Sequence, residues 1–312
     1  MQIVRDYQYV TDNDRGASAA IGNFDGVHLG HQHVIDLARA EAGKLGAPLG
    51  VVTFEPHPRE YFAPKAPPFR LMNAETRAHR LEKLGVDKLY ELNFNASLSA
   101  LTPEQFARDV LADGLGLKHV VVGADFQFGK GRAGTARDLE RFGREMGFGV
   151  TIANLLTGKG GAVSSTAIRQ ALTEGRPRDA ARMLGHWHRI DGAVIRGDQR
   201  GRDLGFPTAN MSITGLHPPR FGVYAVEVEV LTGPHAGLYG GAASMGVRPM
   251  FGDNLPNLES YIFDFQGDIY GEDISVALIE YLRPEETFDG LEALVAQIDA
   301  DCARAREILA AL

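Results

Sequence analysis

Residues 20–40 read AIGNFDGVHLGHQHVIDLARA, and the order of residue types in this stretch decides the class of the N-terminal half. An apolar run breaks at Gly22-Asn23 and again at Gly26, and apolar residues then recur at three- and four-residue spacing. That is a buried strand turning into an amphipathic helix, with His28 and His31 astride the helix start. Outward from it, the alternation continues to about Leu184. Strands are predicted at Ala17–Gly22, Leu49–Phe54, Lys88–Leu92, His119–Val122 and Gly149–Ala153, and helices at Gly30–Leu45, Ala74–Leu84, Pro103–Gly114, Thr135–Met146 and Ser165–Thr173. Strands and helices in turn give an α/β, doubly wound parallel sheet.

The rhythm changes around Gly175-Arg176-Pro177. After His188 come VYAVEVEVL, ESYIFDF and ISVALIEYL, separated by turn residues, with no helix readable between Asp191 and Arg283. Antiparallel strands without crossover helices favour a small closed barrel, which leaves no exposed sheet edge. Leu291, Leu294, Val295, Ile298, Cys302, Ala305 and Leu309 form one apolar stripe, so a terminal helix should pack on that barrel. Two domains, 1–184 and 185–312, are expected, each long enough to bury its own core.

The 312 residues carry 44% hydrophobic and 23% charged side chains, the balance of a globular protein. Lys+Arg 32 against Asp+Glu 40 gives a net charge of -8, without the basic footprint that long nucleic acids require. A small anion needs only a few local cations and helix ends, so small-molecule partners are expected, with no nucleic acid and no membrane. The single cysteine, Cys302, excludes an internal disulfide framework and suits a reducing, cytoplasmic setting. No apolar run approaches the roughly 20 residues of a membrane helix. The sequence leaves the oligomeric state open.

Unpaired N–H groups and the positive end of a helix dipole favour a polyphosphate, to which His28 and His31 can donate. Gly30 lets phosphate approach the backbone. Taken alone, the two histidines read equally well as an ordinary cap. VSSTAIR opens another predicted helix, where Ser164, Ser165 or Thr166 can cap and Arg169 projects from the first turns. Alone, a plain serine cap is its simpler reading. Gly123–Lys130 lacks Walker A spacing, and Gly131 stands where Ser or Thr should bind metal. It reads instead as a loop after a strand. A zinc site at His28, His31, His33 and His57 has no supporting HExxH spacing.

In the C-terminal half, RGDQRGRDLGFPTANM is rich in turn formers. Gly205 and Pro207 fix its backbone, and Thr208 and Asn210, two apart, can aim oxygens at one Mg²⁺ if the segment is extended. A surface turn entering a strand is the alternative. Glu259 lies in an alternating strand, where an inward carboxylate would be costly without a task and an outward one would be an ordinary edge charge.

HxGH with an SSTxxR-type motif resembles the nucleotidyltransferase superfamily. GNFDGVHLGHQ, TFEPHPREYF, FRLMNAETR and VVGADFQFGKGRAG, in that order from about Ala17 to Leu184, resemble the FMN adenylyltransferase module of prokaryotic bifunctional riboflavin kinase/FAD synthetases. The resemblance implies attack of an FMN phosphate oxygen on the α-phosphate of ATP, forming FAD and pyrophosphate. His28 and His31 would meet the α/β-phosphates and Arg169 the pyrophosphate. Asn23, Asp25, Asp125, Ser164 and Thr166 would contact nucleotide or flavin phosphate. From Gly185 to Leu312, LGFPTAN, FGVYAV, GVRPMFG, DFQGDIYG and EYLRPEETF resemble the riboflavin kinase family. That resemblance implies a six-stranded Greek-key barrel, Thr208 and Asn210 holding Mg²⁺-ATP, and Glu259 as base for the riboflavin 5′-hydroxyl. Arg283 and the terminal helix would cover the flavin. Ser244, Met250 and Tyr261 stand where the family often has Asn, Thr and His, which puts the flavin contacts in question. Competing readings are a barrel kept only as a flavin-binding module, a nonenzymatic flavin sensor, and an aminoacyl-tRNA synthetase relative. The last lacks its basic tRNA surface and lysine-rich signature.

Overall fold

A computed structural model describes residues 1–154, 157–158, 161–196, 205–250 and 253–312, with only the backbone described at 157–158, 161–162, 248–250 and 253–255. Its contacts divide into two compact units, Met1–Pro67 with Arg77–Val163, and Pro68–Thr76 with Ser164–Leu312.

In the first unit, β1 (Gln2–Val4), β2 (Ser18–Ile21), β3 (Leu49–Glu55), β4 (Lys88–Asn93), β5 (His119–Gly123) and β6 (Gly149–Ala153) form one sheet in the order β1-β4-β3-β2-β5-β6. Every pairing is parallel. Central strands of such a sheet are covered on both faces, which is why Ser18–Ile21 is buried throughout and Val120–Val122 is uninterrupted valine. The covering helices include α1 (Leu29–Leu45) and α3 (Ala136–Met146); α2 spans Ala74–Lys83. The strand β1 has three residues, two of them exposed, too short to show a period in the sequence.

The helix expected over Pro103–Gly114 is a single α-turn, Pro103–Gln105, opened by a Thr102–Gln105 capping box, and it widens into a π-helix over Phe106–Ala112. The wider turn brings Phe106, Ala107, Val110 and Leu111 together into the core.

The second unit contains β7 (His188–Ala193), β8 (Thr208–Ser212), β9 (Gly222–Val230), β10 (Gly237–Met250), β11 (Asp253–Ile262) and β12 (Asp273–Arg283) in an antiparallel sheet ordered β7-β12-β9-β10-β11-β8. An antiparallel bridge between Ile195 and Asn210 joins its two ends. Three consecutive hairpin strands, β9-β10-β11, with β12 returned beside β9, make a Greek key. Alternate residues point inward, Met211, Val226, Val228, Met245, Leu258, Val276 and Leu278 among them. On the outer face, Ala225, Ala277, Ile279 and Phe263 receive Cys302, Ala305 and Ile308 of α6 (Leu291–Ala310). The expected stripe packs through its later turns, while its first member, Leu291, is 65% exposed.

Helices α4 (Ser165–Thr173) and α5 (Pro177–Leu184) belong to this second unit by contact. Ile168, Ala171, Leu172, Ala180 and Leu184 pack with Leu71, and Arg220 N–H donates to the Leu172 carbonyl at 2.9 Å. The sequence boundary near Gly185 follows the end of helical rhythm, whereas the contacts divide at Val163/Ser164. What α4 and α5 pack against, which periodicity does not reveal, accounts for the difference.

Leu258 and Glu259 are neighbours on opposite faces of β11, Leu258 fully buried in the barrel core. Leu258→Ala should cost about 2–5 kcal/mol of stability by leaving a cavity. Glu259→Ala leaves no apolar cavity in the core and should cost less, about 1–2 kcal/mol for the acceptor lost to Asn257. Equal losses in chemical denaturation would show that the facing is wrong.

Candidate active sites

The strand β2 pairs with β3 on one side and β5 on the other, so the chain leaves the sheet in opposite directions at this point. In open α/β sheets the crevice at such a reversal, beyond the carboxyl ends of the strands, is where ligands are held. The segment from Gly22 to His28 follows the end of β2, and Asp125 lies exposed in the turn after β5.

The Gly22–His28 loop carries positive φ at Phe24 (51°) and Val27 (42°), both buried. For a β-branched valine this conformation is strained and persists only where the surroundings impose it. The Gln32 amide donates to the Val27 carbonyl at 2.8 Å. The Asn23 carbonyl accepts from Thr53 Oγ1 at 3.2 Å and from Arg77 Nη1 at 3.5 Å. Arg77, 1% exposed, also pairs through Nη2 with Glu55 at 3.0 Å and Glu91 at 3.1 Å. Arg77 and Thr53 thereby fix the backbone on which Asn23, Asp25 and His28 stand. Asp25 is buried and Asn23 exposed.

His28 caps α1, its Nδ1 accepting the His31 N–H at 3.2 Å. That acceptor role places the proton of the neutral ring on Nε2, which is then free to act as a donor. The two imidazoles stack with centroids 3.6 Å apart and 14° between planes. Burial lowers His28 to about 4, and burial followed by the His28 charge drives His31 well below the ordinary histidine value. Both rings are therefore neutral donors near pH 7. His31 Nδ1 is buried and has no hydrogen-bond partner among the described residues. A Cβ on Gly30 would stand 3.1 Å from the His28 ring, so glycine preserves the cap geometry as well as backbone access.

Beyond β3, His57 caps the short helix Pro58–Phe62. Phe62 is 67% exposed and meets Tyr61 and Phe94 edge-on at 5.2 and 5.7 Å. An exposed aromatic face braced by two others offers a stacking surface for a planar ring. Sequence reading gave Arg77 and Phe62 no role, although both lie inside quoted motifs; the buried cation and the exposed ring show only in the fold.

In the second unit, Ser164 is the cap of α4, its Oγ accepting from Ala167 N–H at 3.2 Å. Thr166 is exposed in the first turn. Arg169 donates through Nη1 to the Phe69 carbonyl at 3.2 Å, with its guanidinium 5.7 Å from the Phe69 ring centroid. The simpler cap reading thus describes Ser164 as it stands.

The barrel site is a row of polar side chains on the outer face. Asn210 lies directly opposite Glu259, and Glu259 directly opposite Ser244. Asn210 Nδ2 donates to Thr208 Oγ1 at 3.3 Å. Asn257 Nδ2 donates to Asn210 Oδ1 at 2.9 Å and to Glu259 Oε1 at 3.3 Å. Thr208, Asn210 and Glu259 are therefore brought together as expected. Glu259 faces neither the apolar core nor open solvent alone, but a polar cluster in which Asn210 and Asn257 are buried. Asn257, missed in the sequence, has the same strand parity as Glu259, and that was the available signal. Tyr261, opposite Thr208, meets Phe206 edge-on at 5.3 Å. Gly205 has φ 86°, and Pro207 precedes β8. Most of the preceding loop, 197–204, lies outside the described residues, as does the side chain of Met250. Arg283 is held by Asp301 of α6, from Nη2 at 2.8 Å and Nε at 3.0 Å, with Phe288 5.6 Å from the guanidinium.

An FAD synthetase family model matches residues 10–167, and a riboflavin kinase family model matches residues 184–309. A bifunctional riboflavin kinase/FMN adenylyltransferase of Pseudomonas fluorescens is 41% identical over 311 residues, covering 99% of this chain and 98% of that protein. The chain belongs to this family. Similarly named proteins of Listeria monocytogenes and Escherichia coli K12 are 40% identical over 90% of this chain and 39% identical over 94%, covering 89% and 92% of their own lengths. A crystal structure named a macrolide-efflux protein from Streptococcus pneumoniae superposes with TM-score 0.81 at 32% identity, covering 96% of each chain. Among the described residues of this chain, no helix is long and apolar enough to cross a membrane.

Within the family frame, two outcomes test the histidine site. Gly30→Ala should displace the His28 ring and slow adenylyl transfer by about tenfold or more, since small misplacements of positioning groups are costly; an unchanged rate would remove the close approach from the mechanism. The second outcome concerns acid. Folded His28 titrates near 4 and buried His188 near 3, against 6.5 in the ordinary range. Below pH 6.5 the unfolded chain takes up protons that the folded chain does not. Stability present above that pH is thus lost as pH falls toward the folded values, by up to about 1.4 kcal/mol per unit per histidine. Urea midpoints that do not fall between pH 7 and pH 5 would contradict this burial.

Proposed function

We propose that this protein phosphorylates riboflavin with ATP, giving FMN and ADP, and then adenylylates FMN with a second ATP, giving FAD and pyrophosphate. One observation carries the reading: two polar clusters, the Gly22–His31 segment in the first unit and the Thr208–Asn210–Glu259 row in the second, fall within residues matched by the two family models. The functional domains are taken as 1–184 for the adenylyltransferase and 185–312 for the kinase, and the cytoplasm as the place of reaction.

In the kinase step, the riboflavin 5′-hydroxyl is neutral and needs a base. Glu259 accepts its proton as the oxygen attacks the γ-phosphorus of ATP and ADP leaves. Thr208 and Asn210 present oxygens suited to a hard cation and would hold Mg²⁺. Bound with ATP, Mg²⁺ supplies charge neutralisation to the phosphate oxygens. Gly205 and Pro207 shape the approach to β8, and Arg283, fixed by Asp301, borders the flavin.

In the adenylylation step, the FMN phosphate oxygen is already anionic, so positioning and charge stabilisation dominate. His28 donates from Nε2 to the α/β-phosphates with His31 beside it, and Gly30 leaves the helix N–H groups accessible. Asn23, Asp25 and Asp125 contact the nucleotide or the flavin phosphate, and Phe62 stacks with the isoalloxazine. The family resemblance gives Ser164, Thr166 and Arg169 contacts to nucleotide phosphates, Arg169 to pyrophosphate.

A time course of riboflavin, FMN and FAD with Mg²⁺ and ATP tests the whole reading. FMN should rise and then be consumed as FAD accumulates; FMN without FAD, or neither product, contradicts it. Glu259→Ala should abolish FMN formation and leave FAD synthesis from supplied FMN. His28→Ala should do the reverse, lowering FAD formation by about 10²-fold, the usual effect of deleting one preorganised donor. Loss of both activities in either variant would undo the assignment of separate sites.

A further inference from the structure

The geometry points to Asn257 as a positioning residue for phosphoryl transfer, its one amide group aligning the base Glu259 with the metal-ligand residue Asn210. This rests on the roles proposed above for Glu259 and Asn210. Asn257 is 3% exposed, yet it lies on the barrel face turned away from the apolar core, between Ser212 of β8 and Gly246 of β10. A buried primary amide in a strand is costly unless its hydrogen bonds are used. Its Nδ2 uses both protons, one on Asn210 Oδ1 at 2.9 Å and one on Glu259 Oε1 at 3.3 Å. Its own Oδ1 is buried and has no partner among the described residues.

Two consequences follow. Donation to Oε1 favours the ionised carboxylate and restrains it beside Asn210. Donation to Asn210 Oδ1 orients that carbonyl while leaving its second lone pair for a cation, as outer partners of metal ligands do. Strand pairing sets Asn210 of β8 and Ser244 of β10 directly opposite Glu259, and the next pair on the same face is Thr208 with Tyr261. One residue pair along, the Glu285 carboxylate occupies the space that a Cβ on Gly246 would take. Glu285 is thus a nearby like charge, which makes a neutral donor between the two carboxylates useful.

The test uses the full chain. Asn257→Leu, similar in size and without a donor, should shift the acid limb of the kcat profile for FMN formation upward by about one pH unit, since the base then loses a hydrogen bond to its charged form. It should weaken Mn²⁺ binding in the presence of ADP about fivefold, read from the electron paramagnetic resonance of free Mn²⁺ as the component that Asn210→Ala abolishes. FAD formation from supplied FMN should stay unchanged. Asn257→Ser, which keeps one donor, should restore part of each effect. If Asn257→Leu does not fold, Asn257→Asp keeps shape and polarity and should shift the acid limb further, by placing a second carboxylate beside Glu259. A wild-type pH profile and wild-type Mn²⁺ binding in the folded variants would overturn the role of Asn257. Full FMN formation by Glu259→Gln would instead overturn the underlying assignment of the base.

Discussion

The first unit depends on one buried cation. The guanidinium of Arg77 ties the Asn23 carbonyl after β2 to Glu55 at the end of β3 and Glu91 within β4. A desolvated guanidinium would be unaffordable without such partners, and two carboxylates around it need a further charge. Arg5, at the surface, meets the other oxygen of Glu91 at 3.2 Å. Three neighbouring strands are thereby tied together near the edge where the topology opens its crevice. The strain at Phe24 and Val27 is tolerable because the loop has little freedom to relax.

The barrel reaches the same end by a different route. Strand parity sends Ala209, Met211, Leu258 and Met245 into the core, so Thr208, Asn210, Asn257, Glu259 and Ser244 must share the outer face. A polar cluster there can be buried without interrupting the hydrophobic interior. The helix α6 covers part of that same face with Cys302, Ala305 and Ile308, and burial raises the Cys302 thiol to about 11. That cysteine is an inert packing residue rather than a nucleophile.

Much of this was legible beforehand because parallel strands and amphipathic helices leave clear periods. The strand–loop–helix at residues 20–40 and the alternation of Gly222–Val230 are of that kind. The long strand β10 was obscure because GLYGGAASMGVRPM is mostly small residues, and its pairing with β9 and β11 on both sides supplies the order that propensity does not. Of the residues named by motif, His28 stacks on His31, and Thr208, Asn210 and Glu259 share one face of the barrel. Arg77 and Asn257 were not among those named, since their importance comes from burial and from partners in other strands. Neither property leaves a local pattern.

The two sites differ as the two nucleophiles require. Adenylylation on the proposed route starts from a phosphate that is already negative. A charged base would repel it, and the buried, stacked His28 and His31 stay uncharged while still donating hydrogen bonds. Phosphorylation starts from a hydroxyl that must lose a proton, and there the barrel provides a carboxylate held by a neutral amide. A carboxylate at the helix start would oppose the triphosphate, whereas neutral imidazole donors do not. The two units let each proposed site keep the groups its own nucleophile calls for.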